Sequence, residues 1–310
     1  MESDIEFYGF LISRYEYEEI DKISKYLFQR TKHRPTIGII CGSGLGGLAD
    51  LLTDKDVFKY ETIPNFPVST VSGHSGCLVF GYLRGVCLIA MKGRFHPYEG
   101  YPMAKCAMPV RLMKLMGVKT LIVTNAAGGL NKGYNVGDIM IIKDQINLPA
   151  FAGNSPLRGV NDDRWGVRFP AMNDAYNKDL MKIAKHCAQE LKIDRFMREG
   201  VYVMTGGPSY ESVAEVKFLS NYGDAVGMST CHEVTVAHHC GLKVVGFSLI
   251  TNKCVSDYNT KEVANHEEVI QAANERAKDF ERLIESLVEK CNKYEEFLNK
   301  RKSINVTNGH

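Results

Sequence analysis

Short apolar runs alternate with stretches of helical period along most of the chain. Runs that read as strands fall at Thr36–Cys41, Cys77–Leu83, Val86–Met91, Thr120–Thr124, Asp138–Lys143, Gly200–Met204, Asp224–Gly227 and Lys243–Ile250. Apolar residues at helical spacing mark Tyr17–Gln29, Met103–Met116, Ala175–Leu191, Ser212–Asn221 and Glu233–His239. The clearest helix is Asn265–Leu298, where Val269, Ala273, Ala277, Phe280, Ile284, Leu287 and Cys291 recur every three or four residues with charges on the other side. Leu148–Phe169 follows neither period, and irregular segments of that length are usually functional or interfacial. No repeat and no Pro/Gly/Ser linker divides the chain. The pattern predicts one α/β domain over residues 1–310, with a core at 16–298 and mobile ends at 1–15 and 299–310.

Composition narrows the function classes. Apolar residues make up 45% of the chain, enough for a sizeable core. Lys and Arg number 38 against 36 Asp and Glu, with no long basic block, so a nucleic-acid partner is not expected. No apolar run approaches membrane-spanning length, and the acidic start Met1-Glu-Ser-Asp opens no signal peptide. The nine cysteines are scattered and form no C-x-x-C, which predicts free thiols in a reducing, cytoplasmic setting. Cys231, His232, His238, His239 and Cys240 cluster without zinc spacing and read as helix residues, so no metal is expected.

Candidate chemistry gathers at the carboxyl ends of the predicted strands, where open α/β sheets bind ligands. After Val86–Met91 comes Gly93-Arg-Phe-His-Pro-Tyr-Glu-Gly-Tyr. Arg94 and His96 are two apart, so extended backbone points both the same way, and a guanidinium fork suits a phosphate. The competing reading is a solvated loop with Arg94 paired to Glu99. The turn Gly42-Ser-Gly-Leu-Gly-Gly after Thr36–Cys41 can bring backbone N–H groups and the Ser43 hydroxyl to an anion. It also satisfies G-x-G-x-x-G, with Glu61 about 20 residues on, so a nicotinamide-dependent dehydrogenase is a rival. Thr124-Asn-Ala-Ala-Gly-Gly, Gly206-Gly-Pro-Ser-Tyr-Glu, Gly227-Met-Ser-Thr and Thr251-Asn-Lys end four further strands. Thr230 and Glu233 have capping-box spacing, and Asn265-His266 opens the last helix.

These strings resemble, in order across residues 35–290, the trimeric purine nucleoside phosphorylases. The resemblance implies a single domain with a mixed, distorted central β-sheet flanked by helices. It further implies a homotrimer that splits inosine, guanosine and their deoxy forms into free purine and (deoxy)ribose 1-phosphate. Inorganic phosphate is then a co-substrate, and no cofactor is needed. Carried onto matching positions, Ser43, His74, Arg94, His96, Ser229 and the Ala126 N–H hold phosphate. Tyr98 contacts the ribose hydroxyls, Met228 packs beneath the sugar, Tyr202 closes over it, and His266 addresses the 5′-hydroxyl. Glu211 and Asn252 bind the purine beside Tyr210. Trp165 stands where the family has a Phe that covers a neighbouring subunit's substrate. Cys231-His232 departs from the family's usual Val-Pro. Asn252, where relatives preferring 6-amino bases carry Asp, implies inosine and guanosine over adenosine. The remaining alternatives are a 5′-methylthioadenosine or adenosine phosphorylase and a nucleoside-binding protein without turnover. His266 speaks against the methylthio substrate, whose 5′ group prefers an apolar wall.

Overall fold

Among the residues described by the computed structural model (17–70, 76–260 and 266–307), nine strands join in one mixed sheet. The chain runs α1 (Tyr17–Phe28), β1 (Ile37–Cys41), α2 (Gly47–Asp50), β2 (Thr53–Lys59), β3 (Cys77–Leu83), β4 (Val86–Lys92), α3 (Met103–Leu115) and β5 (Thr120–Gly129). It continues through β6 (Ile139–Asn147), α4 (Leu148–Phe151), α5 (Lys178–Glu190), β7 (Met197–Met204), α6 (Val213–Leu219), β8 (Ala225–Gly227), α7 (Cys231–His239), β9 (Lys243–Lys253) and α8 (His266–Thr307).

The continuous apolar runs became the central strands because both their faces are covered. Every residue of β1 is buried, as is Val244–Thr251 of β9. Helices supply the cover: α3 packs on α1 and α7, and α8 lies on β9 and α5. Ile20, Ile23 and Leu27 form the buried stripe of α1. Local chemistry sets several boundaries. The Asn177 side chain caps α5 by accepting from the N–H groups of Asp179 and Leu180, and Ser212 with Glu215 closes a capping box on α6.

Sheet order is β2-β3-β4-β1-β5-β8-β7-β6-β9, and β5 also pairs in parallel with β9. That extra pairing closes β5, β8, β7, β6 and β9 into a ring, from which β1, β4, β3 and β2 extend as an open wing. This is the distorted mixed sheet that the resemblance implied. Three expectations need correction. Strand β2 was missed because Thr53-Asp-Lys-Asp-Val-Phe-Lys is largely polar, as suits an exposed edge. Strand β5 does not stop at Thr124 but runs to Gly129, with a register shift at Ala127/Gly128 that lets it bend. Helix α8 does not stop at Leu298 but continues to Thr307. The expected mobile start, 1–15, lies outside the described residues.

Candidate functional site

The site grows out of a gap in strand pairing. On one edge of β5 the β1 ladder ends at Val123 and the β8 ladder begins at Gly128, while β9 fills the opposite edge throughout. Asn125–Ala127 therefore face a cavity of about 350 Å³ instead of a neighbouring strand. The Gly-rich turn after β1 is pressed against this stretch. A Cβ on Gly42 would sit 2.6 Å from the Asn125 Cα, so only glycine allows the approach. Gly42 N–H donates to the Thr124 hydroxyl at 3.0 Å, which brings Ser43 to the cavity wall. The helix after this turn, α2, is only four residues long and leads to an antiparallel edge strand. A dinucleotide fold needs a long helix there and a parallel return. Glu61 lies on the surface near Lys59, and the dehydrogenase reading lapses.

One cluster in the cavity centres on Arg94, which is 1% exposed. Its Nε and Nη2 donate to the two Glu233 carboxylate oxygens at 3.0 and 2.9 Å, and Nη1 donates to the Thr124 carbonyl at 2.8 Å. The partner is thus neither solvent nor Glu99. Burial pushes the Glu233 carboxyl up, but the Arg94 charge beside it prevails and holds it below its ordinary value. The expected capping box does not form: Thr230 makes no side-chain cap on α7 and has φ 76°. Its hydroxyl instead accepts from Asn125 Nδ2 at 2.9 Å and lies 3.1 Å from the Ser229 Oγ. Ser229 N–H donates to the Tyr202 hydroxyl at 3.4 Å.

His96 borders this cluster. Its N–H donates to Glu99 Oε1 at 2.7 Å, and its Nδ1 lies 3.2 Å from the same oxygen. Glu99 Oε2 accepts from the N–H and hydroxyl of Thr70, both at 2.7 Å. Burial opposes ionisation of Glu99, yet the bonds from His96 and Thr70 outweigh it and bring the carboxyl down to about 2. Burial also lowers the His96 pKa, only partly countered by Glu99.

A second cluster holds Glu211, Asn252 and Cys254. Thr205 donates to Glu211 Oε1 at 2.9 Å. The Cys254 Sγ and Asn252 Nδ2 both crowd Gly128, at 2.7 and 3.4 Å from where a Cβ would stand. Burial, reinforced by Glu211, pushes the Cys254 thiol up to about 12, so it is neutral. Tyr98 and Met228 join the two clusters. The Tyr98 ring stacks on His96 at 4.6 Å, and Tyr98 and Met228 close on Gly207, whose φ of 61° and lack of a side chain are required there. Tyr210 completes the outer wall at 44% exposure.

Ser43, Arg94, His96, Tyr98, Ala126, Tyr210, Glu211, Met228, Ser229 and Asn252 all line this one cavity. Two candidates do not, and two fall outside what the structure describes. Tyr202 is fully buried and supports Ser229 from below, because its place on β7 points it inward. Trp165 is buried in its own chain, its ring 4.8 Å from that of Tyr17 and beneath the Arg111 guanidinium. His74 lies outside the described residues, as does the side chain of His266 at the start of α8. Sequence reasoning missed Glu233, Asn125, Thr205 and Cys254, which act on or beside the predicted residues. Their signals were positional: Asn125 lies inside Thr124-Asn-Ala-Ala-Gly-Gly, Thr205 and Cys254 flank two other strand-end strings, and Glu233 stood out only for its capping-box spacing. His238 and His239 each donate from Nε2, to the carbonyls of Ala171 and Val167, tying down the irregular segment and the residues just after it, and no described His, Cys, Asp or Glu cluster could hold a metal. All nine cysteines are free thiols.

Residues 36–289 match the sequence profile of the phosphorylase superfamily. The purine nucleoside phosphorylase of Bos taurus is 54% identical over 275 residues, covering 88% of this chain and 95% of that protein. Purine nucleoside phosphorylase 1 of Bacillus subtilis is 48% identical and covers 87% of this chain and 98% of its own. Crystal structures of the Schistosoma mansoni purine nucleoside phosphorylase with inosine and with adenosine superpose with a TM-score of 0.86 at 46% identity. They cover 89% of this chain and 97% and 98% of theirs, respectively.

Proposed function

The chain belongs to the purine nucleoside phosphorylases of the phosphorylase superfamily, and on that premise we propose how its cavity works. It is a pentosyltransferase that splits purine nucleosides reversibly with phosphate. The relatives' names disfavour a methylthioadenosine substrate. One observation carries the assignment of roles: two polar clusters, Arg94–Ser229 and Glu211–Asn252, share a single cavity and are bridged by Tyr98 and Met228.

Breaking the N-glycosidic bond leaves positive charge on the sugar and negative charge on the purine. Glycosidases meet such a state with paired carboxylates. Here phosphate serves both as nucleophile and as counter-charge. Ser43, Arg94, His96, Ser229 and the Ala126 N–H hold it beneath the anomeric carbon, together with His74. Attack from the face opposite the base inverts that carbon. Tyr98 contacts the ribose hydroxyls, Met228 packs beneath the ring, and His266 takes the 5′-hydroxyl. Glu211 accepts the purine N1–H, while Asn252 bonds at O6 and N7 with Tyr210 alongside. The Asn252 contact strengthens as the purine becomes anionic, which is what lowers the barrier, while Glu211 fixes the base in place. No cofactor enters this scheme.

The assembly is a homotrimer in this reading. Its support is the apolar surface of the irregular segment and its surroundings, where Phe151, Val160, Val167 and Phe169 are 67–90% exposed beside a hollow of about 900 Å³. Trp165 anchors that segment from within. A cytoplasmic location fits the free thiols. No described helix is long and apolar enough to cross a membrane.

The test is hypoxanthine release from inosine by purified protein, with and without phosphate and with adenosine in parallel. Phosphate-dependent release, faster than adenine release from adenosine, is the expected outcome. Release without phosphate would overturn the mechanism, and faster adenosine cleavage would overturn the role given to Asn252.

A further inference from the structure

Glu233 sits where a helix-capping glutamate belongs, three residues after Thr230, yet neither residue caps α7. The carboxylate is 1% exposed and turned onto Arg94. Giving up a cap and burying a carboxylate both cost stability, and local rules are usually broken this way at functional sites. The geometry shows what is gained. A guanidinium has five N–H donors in a rigid plane. Glu233 takes one on Nε and one on Nη2, and the Thr124 carbonyl takes one on Nη1. Among the described residues this leaves one N–H on Nη1 and one on Nη2, on a side chain that lines the cavity. Two bonds from one carboxylate fix the plane of the fork as well as its position. A single bond to Thr124 would leave it free to turn.

We propose that Glu233 is a positioning residue for phosphate: it grips one edge of the Arg94 guanidinium so that the remaining donors point into the cavity beside Ser229. The proposal rests on Arg94 being the phosphate-side cation of the reading above. It also explains how a buried cation can serve a reversible reaction. The pair is close to neutral, so the anion is held by directed hydrogen bonds more than by net charge, and can leave.

The experiment is steady-state kinetics of Glu233→Asp with phosphate and inosine varied separately. Shortening the side chain by one methylene keeps the charge but shifts the grip. The phosphate KM should rise about tenfold or more, while the inosine KM stays within about twofold. An unchanged phosphate KM, or equal rises in both constants, overturns the proposal. Arg94→Lys covers the case in which the first variant does not fold. A lysine keeps the charge but offers no fork to grip, so the same selective rise in phosphate KM is expected, and a phosphate KM near that of the unmodified enzyme overturns the proposal. Unmodified protein in the same assay separates the two levels: if it shows no phosphate-dependent cleavage, the functional reading fails and this proposal with it.

Discussion

The two halves of the cavity are built to different standards. On the phosphate side Arg94 and Ser229 are almost wholly buried, and each is fixed by bonds from a different element: β5, β7 or α7. On the base side Tyr210 is 44% exposed, Glu211 and Asn252 are half-buried, and among the described residues Glu211 has one side-chain bond, from Thr205. Phosphate is one small, invariant anion, and a rigid dry site for it costs no breadth of substrate. Rigid donors also need no reorganisation as charge develops. Purines differ at their edges and are larger, so the wall that receives them is open and adjustable. Stability and catalysis should therefore be coupled on the phosphate side and separable on the base side.

Arg94→Ala is the strongest attack on that contrast. It should slow phosphorolysis by roughly a hundredfold to a thousandfold, and stranding Glu233 should cost about 3–5 kcal/mol of stability in a denaturant titration. Normal stability would show that the dry pair is not the anchor described here.

Behind the same cluster lies His232, fully buried with neither ring nitrogen hydrogen-bonded among the described residues. Burial lowers its pKa from 6.5 to about 4, against the pull of Glu233. Between those values the unfolded chain binds a proton that the folded chain refuses, so stability falls as pH drops from 6.5 to 4. The loss attributable to His232 is about 3 kcal/mol. His96, likewise lowered by burial, acts with the same sign. His232→Leu should flatten this limb without abolishing it, as read by denaturant unfolding across that range. An unaltered slope would mean that the ring is already solvated.

The smallest effect is expected on the open side. Asn252→Asp should raise adenosine turnover relative to inosine by about tenfold, with stability within about 0.5 kcal/mol of the parent. Competing-substrate assays and a thermal melt would decide it. A large stability loss would erase the contrast between the two sides.

Much of the molecule was legible before folding. The strands β3 and β4 were readable almost to the residue because continuous apolar runs bounded by glycine have few other fates. The pocket residues Ser43, Arg94 and His96 were readable because each follows such a run, and strand ends converge in an open α/β sheet, whereas Glu211, Ser229 and Asn252 were named through the family resemblance. Strand β2 was hidden by its charges. The continuation of β5 beyond Thr124 was hidden because Asn125-Ala-Ala-Gly-Gly has little strand propensity of its own and is held by β9.

What the sequence determined alone was therefore local: periodicity, turns, and the side chains delivered at each strand end. Which of those side chains touch was decided by the tertiary structure. Arg94 and Glu233 are 139 positions apart, and their spacing in the chain points each to a nearer partner, Glu99 and Thr230. The same holds for Asn125 with Thr230 and for Tyr202 beneath Ser229. Hydrogen bonds and ion pairs depend on ångström-scale distance and orientation, which only the closed ring of β5, β8, β7, β6 and β9 brings about.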